Sequence, residues 1–206
     1  MADVVNLEKK YYYYMCLFLF ALKDKKDGIV KNNLFRYVYI YNVSIDYLGG
    51  DEPINDNILI DRELGVADIT ELTKALNKTR SDGFANIKGS IVKVNTSLIE
   101  KEVEKMKDKS DKVKEDLNVV MYFVNVVKQY DEEIILSVFF NEPNIENAIS
   151  RNKKSITLNK NHLKTMLEEF EKASKNKNLE KYDVFVAWLD YVFEEYLEEK
   201  KVDGEK

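Results

Sequence analysis

The 206-residue sequence predicts a mainly α fold, a helical domain that carries a small winged-helix-like β-hairpin. Only 2 Pro and 7 Gly are present, whereas an all-β fold needs these residues for its many turns. Most apolar residues recur at helical spacing. One short β-branched stretch around Gly89-Ser90 directly follows a predicted helix. We therefore expect a single domain over 1–206, with a winged-helix-like N-terminal part, 1–96, and a helical C-terminal part, 97–206.

Two apolar helices are predicted to open the N-terminal part. The first, over 7–23, contains an uncharged run from Tyr11 to Leu22 that is shorter than the roughly twenty residues needed to cross a bilayer, so we expect a core helix. The second spans Ile29 to Tyr47 and ends before Gly49-Gly50. Four consecutive tyrosines, 11–14, cannot all face inward, so one or two of these rings are candidates for partner contact or for the edge of the core.

The helix-and-hairpin segment is the most informative part of the sequence. Asp68 and Glu71 have the spacing of a capping box, which predicts a helix from Asp68 to about Arg80. The following residues, 83–95, predict a β-hairpin because Gly89-Ser90 can form a two-residue turn. A helix, a short loop and a hairpin in this order are typical of a winged-helix module.

Helices dominate the predicted C-terminal part. The expected helical segments are 97–130, 131–140, 143–150, a segment that begins near Asn159 or Asn161 and runs through Lys172, and 179–200. A short strand or extended turn is expected over 155–158. We interpret the paired carboxylates on these helices as residues of a solvated surface.

The small number of Cys and His residues excludes several kinds of site. One Cys and one His cannot provide a disulfide or a four-ligand zinc site, and no glycine-rich phosphate motif occurs. We interpret Cys16 as an inert core thiol and His162 as a surface histidine. The least implausible metal site would combine Asp61, Glu63 and Asp68 with Lys88, and we do not predict one. We therefore expect no enzymatic activity and no cofactor.

Two clusters of basic residues are the candidate contact sites. The first lies on the predicted helix and wing and comprises Lys74, Lys78, Arg80, Lys88 and Lys93. The second has no acidic residue between 151 and 164 and comprises Arg151, Lys153, Lys154, Lys160 and Lys164. Lysines in a wing can bind phosphates, but nearby acids also allow protein contact. The clusters are therefore expected to bind nucleic acid or a partner protein, or else to be solvated surface.

The stretch from Leu7 to Ala21 and the run 28–37 have the pattern of two opening helices. The stretch 130–143 ends in Asn141-Glu142-Pro143 and is followed by Ile145, Ala148 and the turn and helix that begin near Ile156. These segments resemble the middle components of bacterial ABC three-component systems, including Lamassu-type anti-phage defence. Panacea-type antitoxin domains look similar over the same region. Phe139 or Phe140 stands where the related domains often have His, so a function of that histidine does not transfer.

The resemblance implies an adaptor subunit that bridges an SMC-like ATPase and an effector and keeps the effector inactive until phage DNA is sensed. One alternative is an antitoxin-like protein that binds and neutralises a toxin. Another is a winged-helix DNA-binding regulator. The low cysteine count and the lack of a recognisable signal peptide lead us to expect a cytoplasmic protein with no membrane association. The sequence leaves the oligomeric state open.

Overall fold

Nine helices and six short strands form the part of the chain that the computed structural model describes, residues 2–50, 52–158, 162–173 and 179–203. The helices are α1 (Ala2–Ala21), α2 (Lys31–Leu48), α3 (Ile69–Ser81), α4 (Thr96–Lys107), α5 (Asp111–Val127), α6 (Glu132–Asn141), α7 (Pro143–Ser150), α8 (His162–Ala173) and α9 (Lys181–Asp203). The strands are β1 (Ile29–Val30), β2 (Asn57–Asp61), β3 (Val66–Ala67), β4 (Ala85–Lys88), β5 (Ile91–Val94) and β6 (Ser155–Thr157). The predicted mainly α fold with a small hairpin is confirmed.

The N-terminal elements have winged-helix topology. Helices α1, α2 and α3 precede the β4–β5 hairpin, and the short strand β1 between α1 and α2 pairs with β5, so the sheet order is β1-β5-β4. Gly89 occupies the hairpin turn with a φ of 60°, a conformation that glycine adopts readily. The Gly-Ser turn and the β-branched residues therefore form the hairpin that the sequence predicted.

A second antiparallel sheet combines β2 and β3, which lie between α2 and α3 in the chain, with β6, which follows α7. Its order is β3-β2-β6, and β2 pairs with β6 through Asn57↔Thr157, Ile58↔Ile156 and Leu59↔Ser155. The sequence predicted the extended segment at 155–158 but not β2 or β3, and it wrongly assigned Ile29 and Val30, which form β1, to the second helix. Each of these strands is short, and β6, one of the two partners of β2, lies about a hundred residues further along the chain, so the local pattern carried little information about the sheet.

Helix α2 lies at the centre of the core. Fifteen of its eighteen residues are buried, and it contacts α1, α5, α6, α8 and α9. A helix surrounded in this way has apolar side chains on nearly all faces. The N-terminal and C-terminal parts thus share one hydrophobic core through α2, although the proposed boundary at residue 96 stays a prediction.

Helix α1 packs against α3, α4 and α5 as a core helix. Its uncharged run is largely buried, and Met15, Cys16 and Leu17 have no exposed surface. Within the described residues, no helix combines the length and the apolar character that crossing a membrane requires. The expectation that residues 7–23 form a core helix is therefore confirmed.

Candidate functional site

Asp68 lines a groove beside β2 and precedes α3, but it does not cap that helix as the sequence predicted. Its backbone is left-handed, with a φ of 45°, and its side chain makes no capping hydrogen bond. The carboxylate instead accepts hydrogen bonds from the Tyr11 hydroxyl, from the Leu59 backbone N–H at 2.8 Å and from Asn55 Nδ2 at 2.9 Å. The predicted capping box is wrong because the Asp68 carboxylate binds these three donors instead of the first backbone N–H groups of α3. One of the donors, Tyr11, lies 57 residues away in the sequence.

Burial has a clear electrostatic consequence for Asp68. Removal from water raises the pKa of this carboxyl, and the hydrogen bonds from Tyr11, Leu59 and Asn55 partly oppose the rise because they favour the charged form. The Tyr11 hydroxyl has a raised pKa as well, chiefly through burial and then through the charge of Asp68. Asp68 thus connects α1, β2 and the start of α3, and its oxygen atoms are occupied by protein donors.

Arg62 fixes the opposite wall of the groove. Its guanidinium donates to Asn152 Oδ1 at 3.0 Å and to the Ala148 carbonyl at 3.2 Å, and also to the Lys153 carbonyl. A cation near the carboxyl end of a helix satisfies carbonyl groups that lack intrahelical partners. Arg62 therefore holds the turn after α7 against β2.

The groove between these walls has a volume of about 470 Å³. Its lining comes from β2, the residues just after β2, the first turn of α3 and the turn before β6: Leu59, Ile60, Asp61, Arg62, Glu63, Asp68, Ile69, Thr70, Glu71, Asn152 and Lys154. Leu59 is 63% exposed, more than any other large apolar side chain in the described residues. A groove that places an exposed apolar side chain beside charges of both signs is suited to binding a peptide or a protein surface.

Three of the acids considered at the sequence level share this groove. Asp61, Glu63 and Asp68 all line it, but Lys88 lies on the wing and does not. Among the described residues, no three His, Cys, Asp or Glu side chains come together in a group that could hold a metal ion. The acids therefore line a common surface without converging on one point.

The basic residues of α3 are largely neutralised by neighbouring acids. Lys74 Nζ lies 3.2 Å from Glu8 Oε1 of α1 and 3.0 Å from Glu71 Oε1. Lys78 Nζ lies 3.4 Å from Asp82 Oδ2. These pairs are exposed and contribute little to stability, but they reduce the positive potential that α3 presents to a ligand.

The wing residues are in a different environment. Lys88 and Lys93 are exposed on β4 and β5, and Arg80 is exposed near the end of α3. Among the described residues, no acidic side chain forms an ion pair with any of these three. The fold thus divides the first basic cluster into a neutralised part on α3 and an uncompensated part that includes the wing.

The fold also divides the second basic cluster. Lys154 lines the large groove with acids from β2 and α3, whereas Arg151 and His162 line a separate shallow depression of about 350 Å³ beside Glu146. Lys153 is exposed in the turn before β6, and Lys164 is half-buried on α8. Lys160 lies outside the described residues, as do Asn159 and Asn161. The run that lacks acids in the sequence therefore meets acids from other elements in space.

Cys16 has the properties of a core thiol. The residue has no exposed surface, and burial raises the pKa of its thiol to about 12. The thiolate, which is the reactive form, is therefore scarce at neutral pH. His162 is exposed at the start of α8, as a surface histidine would be.

No family model, no curated protein and no solved structure matches the chain. The resemblance to the middle components of ABC three-component systems therefore stays a prediction. Sequence reasoning missed Leu59 as a candidate contact residue. Its neighbours Ile58 and Ile60 are also apolar, so polar and apolar residues do not alternate in this strand and the local pattern carried no signal that Leu59 lies on the outer face.

Proposed function

We propose that this chain is a non-catalytic adaptor that binds other polypeptides, and that these are an SMC-like ATPase and an effector of the same anti-phage defence complex. The exposure of Leu59 beside the groove carries the protein-binding part of the proposal. Isolated exposed apolar side chains are common, but one beside a large groove with charged walls resembles an interface core with a polar rim. The two partners are named from the family resemblance alone.

The buried carboxylates support a structural use of acidic residues. Glu142 is fully buried and accepts hydrogen bonds from Tyr39 and from the backbone N–H groups of Asn144 and Ile145. Asp68 has comparable partners around its carboxylate. A general acid or base must reach substrate, whereas the oxygen atoms of these two groups are engaged by protein donors.

The ion pairs of α3 favour protein contact over sequence-specific reading of DNA. In a helix-turn-helix protein, the recognition helix enters the major groove and presents side chains to base edges. Here Lys74 and Lys78 would have to leave Glu8, Glu71 and Asp82 before contacting DNA. The adaptor is therefore a better proposal than the sequence-specific regulator.

The test is co-expression of the tagged chain with the products of its neighbouring genes, followed by purification and titration calorimetry. We expect Leu59→Asp to weaken binding of the co-purified partner by tenfold or more, on the order of 1.4 kcal/mol, because a charge replaces an apolar contact. Leu98→Asp is the matched control, since Leu98 is also an exposed leucine but lies on α4.

The identity of the captured partner separates the alternatives. A coiled-coil ATPase together with an effector supports the bridging adaptor, and a single small toxin whose activity is blocked supports the antitoxin-like alternative. Equal affinity of the wild type and Leu59→Asp, with folding verified by circular dichroism, would contradict the groove as the binding site.

A further inference from the structure

The outer face of the wing sheet carries lysines that form no ion pair with an acidic side chain among the described residues. Directly opposed residues of an antiparallel pair project to the same face, as do alternate residues along a strand. The register opposes Asn86 to Lys93 and Lys88 to Ile91, so these four residues share one face. Val92 is on the other face and has no exposed surface. Both lysines therefore project from the outer face of one small sheet.

Two neighbouring segments extend this positive surface. Gly28 packs against Lys93, because a Cβ built on Gly28 would lie 3.0 Å from the Lys93 Cγ. The turn that ends at Gly28 includes the exposed Lys25 and Lys26. At the other end of the wing, the Lys31 backbone N–H donates to the Ser90 carbonyl at 2.7 Å. Lysines from the turn before β1 and from the start of α2 thus lie beside the two lysines of the hairpin.

The acidic residues around this surface do not balance it. Asp24 and Asp27 are exposed in the turn, whereas Glu100 on α4 is held by Lys23 at 2.6 Å. The lysines of this surface are Lys25, Lys26, Lys31, Lys88 and Lys93. Among the described residues, none of these lysines forms an ion pair with the acids just named. Five lysines therefore face two free aspartates, in contrast to the paired lysines of α3.

We infer that this wing surface, defined as Lys25, Lys26, Lys31, Lys88 and Lys93, binds the phosphate backbone of duplex DNA without reading its sequence. Lysine is a flexible point charge suited to phosphate, and backbone contacts position a protein without specifying bases. The turn at Gly89 is open, since a Cβ built there would meet no atom within 4 Å. A narrow and open hairpin tip allows close approach to a sugar-phosphate backbone.

Duplex DNA fits this surface better than single-stranded nucleic acid. Binding of single strands relies on aromatic side chains on which the bases stack. Besides the lysines, the outer face of the wing sheet carries Asn86, Val30 and Ile91. Among the described residues, neither this face nor the wing surface includes an aromatic ring. Charge complementarity with a regular phosphate array is therefore the main attraction available.

The test is fluorescence anisotropy with the full-length protein and labelled 20-bp duplexes of two unrelated sequences. We expect equal affinity for both duplexes. Neutralisation of about three phosphates would give a slope near −2.7 in a plot of log affinity against log salt concentration. We expect Lys88→Glu with Lys93→Glu to weaken binding tenfold or more at 50 mM salt and to flatten the slope.

The matched control is Lys128→Glu with Lys172→Glu, which makes the same change in net charge. Lys128 directly follows α5, and Lys172 lies in the last turn of α8. Both are exposed and outside the wing surface, so we expect less than a threefold effect. The milder pair Lys88→Ala with Lys93→Ala should weaken binding in the same direction. Circular dichroism and the melting temperature verify that each variant is folded.

Three outcomes would overturn the inference. They are no duplex binding by the wild type at 50 mM salt, equal losses in the wing and control variants, and tighter binding to a single strand of the same length than to the duplex. The inference does not depend on the adaptor proposal, because Leu59→Asp should leave DNA affinity unchanged. Failure of one can therefore be distinguished from failure of the other.

Discussion

Glu142 shows how a single buried carboxylate organises a junction between helices. It precedes Pro143 and accepts the backbone N–H of Asn144 at 3.0 Å and of Ile145 at 3.2 Å, so it caps the N-terminus of α7. The hydroxyl of Tyr39, from α2, donates to the same carboxylate. Burial raises the pKa of Glu142 above its ordinary value, and these hydrogen bonds oppose the rise.

The raised pKa of Glu142 predicts a pH dependence of stability. The folded chain holds this proton more tightly than the unfolded chain, so the contribution of Glu142 to the free energy of unfolding is greatest below the unfolded pKa. It decreases as pH rises from about 4.5, the ordinary value, through the raised folded pKa. Urea unfolding of the wild type and of Glu142→Gln between pH 4 and 8 measures this contribution to the free energy of unfolding, because the glutamine of the variant does not titrate.

We expect the stability of the wild type minus that of Glu142→Gln to fall as pH rises over that range. A difference that grows with pH would mean that folding lowers the pKa of Glu142, contrary to the effect of burial. Glu146→Gln is the control, because Glu146 is an exposed carboxyl on the same helix and lines the shallow depression beside His162.

Local sequence predicted some of these residue roles and not others. Pro143 correctly indicated the start of α7, because proline is favoured in the first turn of a helix. The same kind of reasoning failed for Asp68, whose carboxylate binds Tyr11 and Leu59 instead of the first turn of α3. A capping pattern describes one available set of donors, whereas the folded chain brings competing donors from distant segments.

Helix α1 acts as a connecting element through three consecutive tyrosines. Tyr11 donates to Asp68 just before α3, Tyr12 to Asp82 just after it, and Tyr13 to Asp116 of α5. Tyr11 and Tyr14 are buried, and the other two rings are half-buried. Of the two roles that the sequence allowed for the tyrosine run, the structure favours the edge of the core.

The wing sheet depends on close approach of β1 to β5, which predicts a large effect of Gly28→Ala. Gly28 has a φ of 78°, and a Cβ there would lie 2.5 Å from the Val92 carbonyl oxygen. Backbone strain of this kind costs about 1–3 kcal/mol, and the clash adds to it. We expect Gly28→Ala to lower the melting temperature by several degrees in a calorimetric scan, since each kcal/mol corresponds to roughly 2–4 °C at this size.

Gly89→Ala is the matched control for that prediction. Gly89 also has a positive φ, 60°, but a Cβ there meets no atom within 4 Å. The expected loss is therefore limited to backbone strain, about 1–2 kcal/mol. Equal melting temperatures for the two variants would contradict the proposed role of the β1–β5 contact.

At the scale of the whole molecule, α2 joins the two predicted parts of the chain. It packs against β1 and β3 of the N-terminal part and against α5, α6, α8 and α9 of the C-terminal part. The buried apolar residues of both parts form one continuous cluster. Separation of the parts would expose α2, whose side chains are almost all buried.

This packing predicts that the chain unfolds in a single cooperative transition. Unfolding of either part alone would expose to water the apolar surface through which the two parts pack around α2, so neither part is expected to melt alone. Differential scanning calorimetry should give one peak with matching calorimetric and van't Hoff enthalpies. Two separated peaks would instead show that 1–96 and 97–206 fold as independent units.

By itself, the sequence determined the mainly α fold, the order of its helices and the hairpin, because these follow from local hydrophobic spacing and from turn residues such as Gly89-Ser90. Only the tertiary structure decided which charges are neutralised and which surfaces are left open. Glu8 pairs with Lys74 across 66 residues of chain, and β2 pairs with β6 across 96 to 100 residues. Contacts at that separation depend on how the helices pack around α2, and local periodicity carries no information about them.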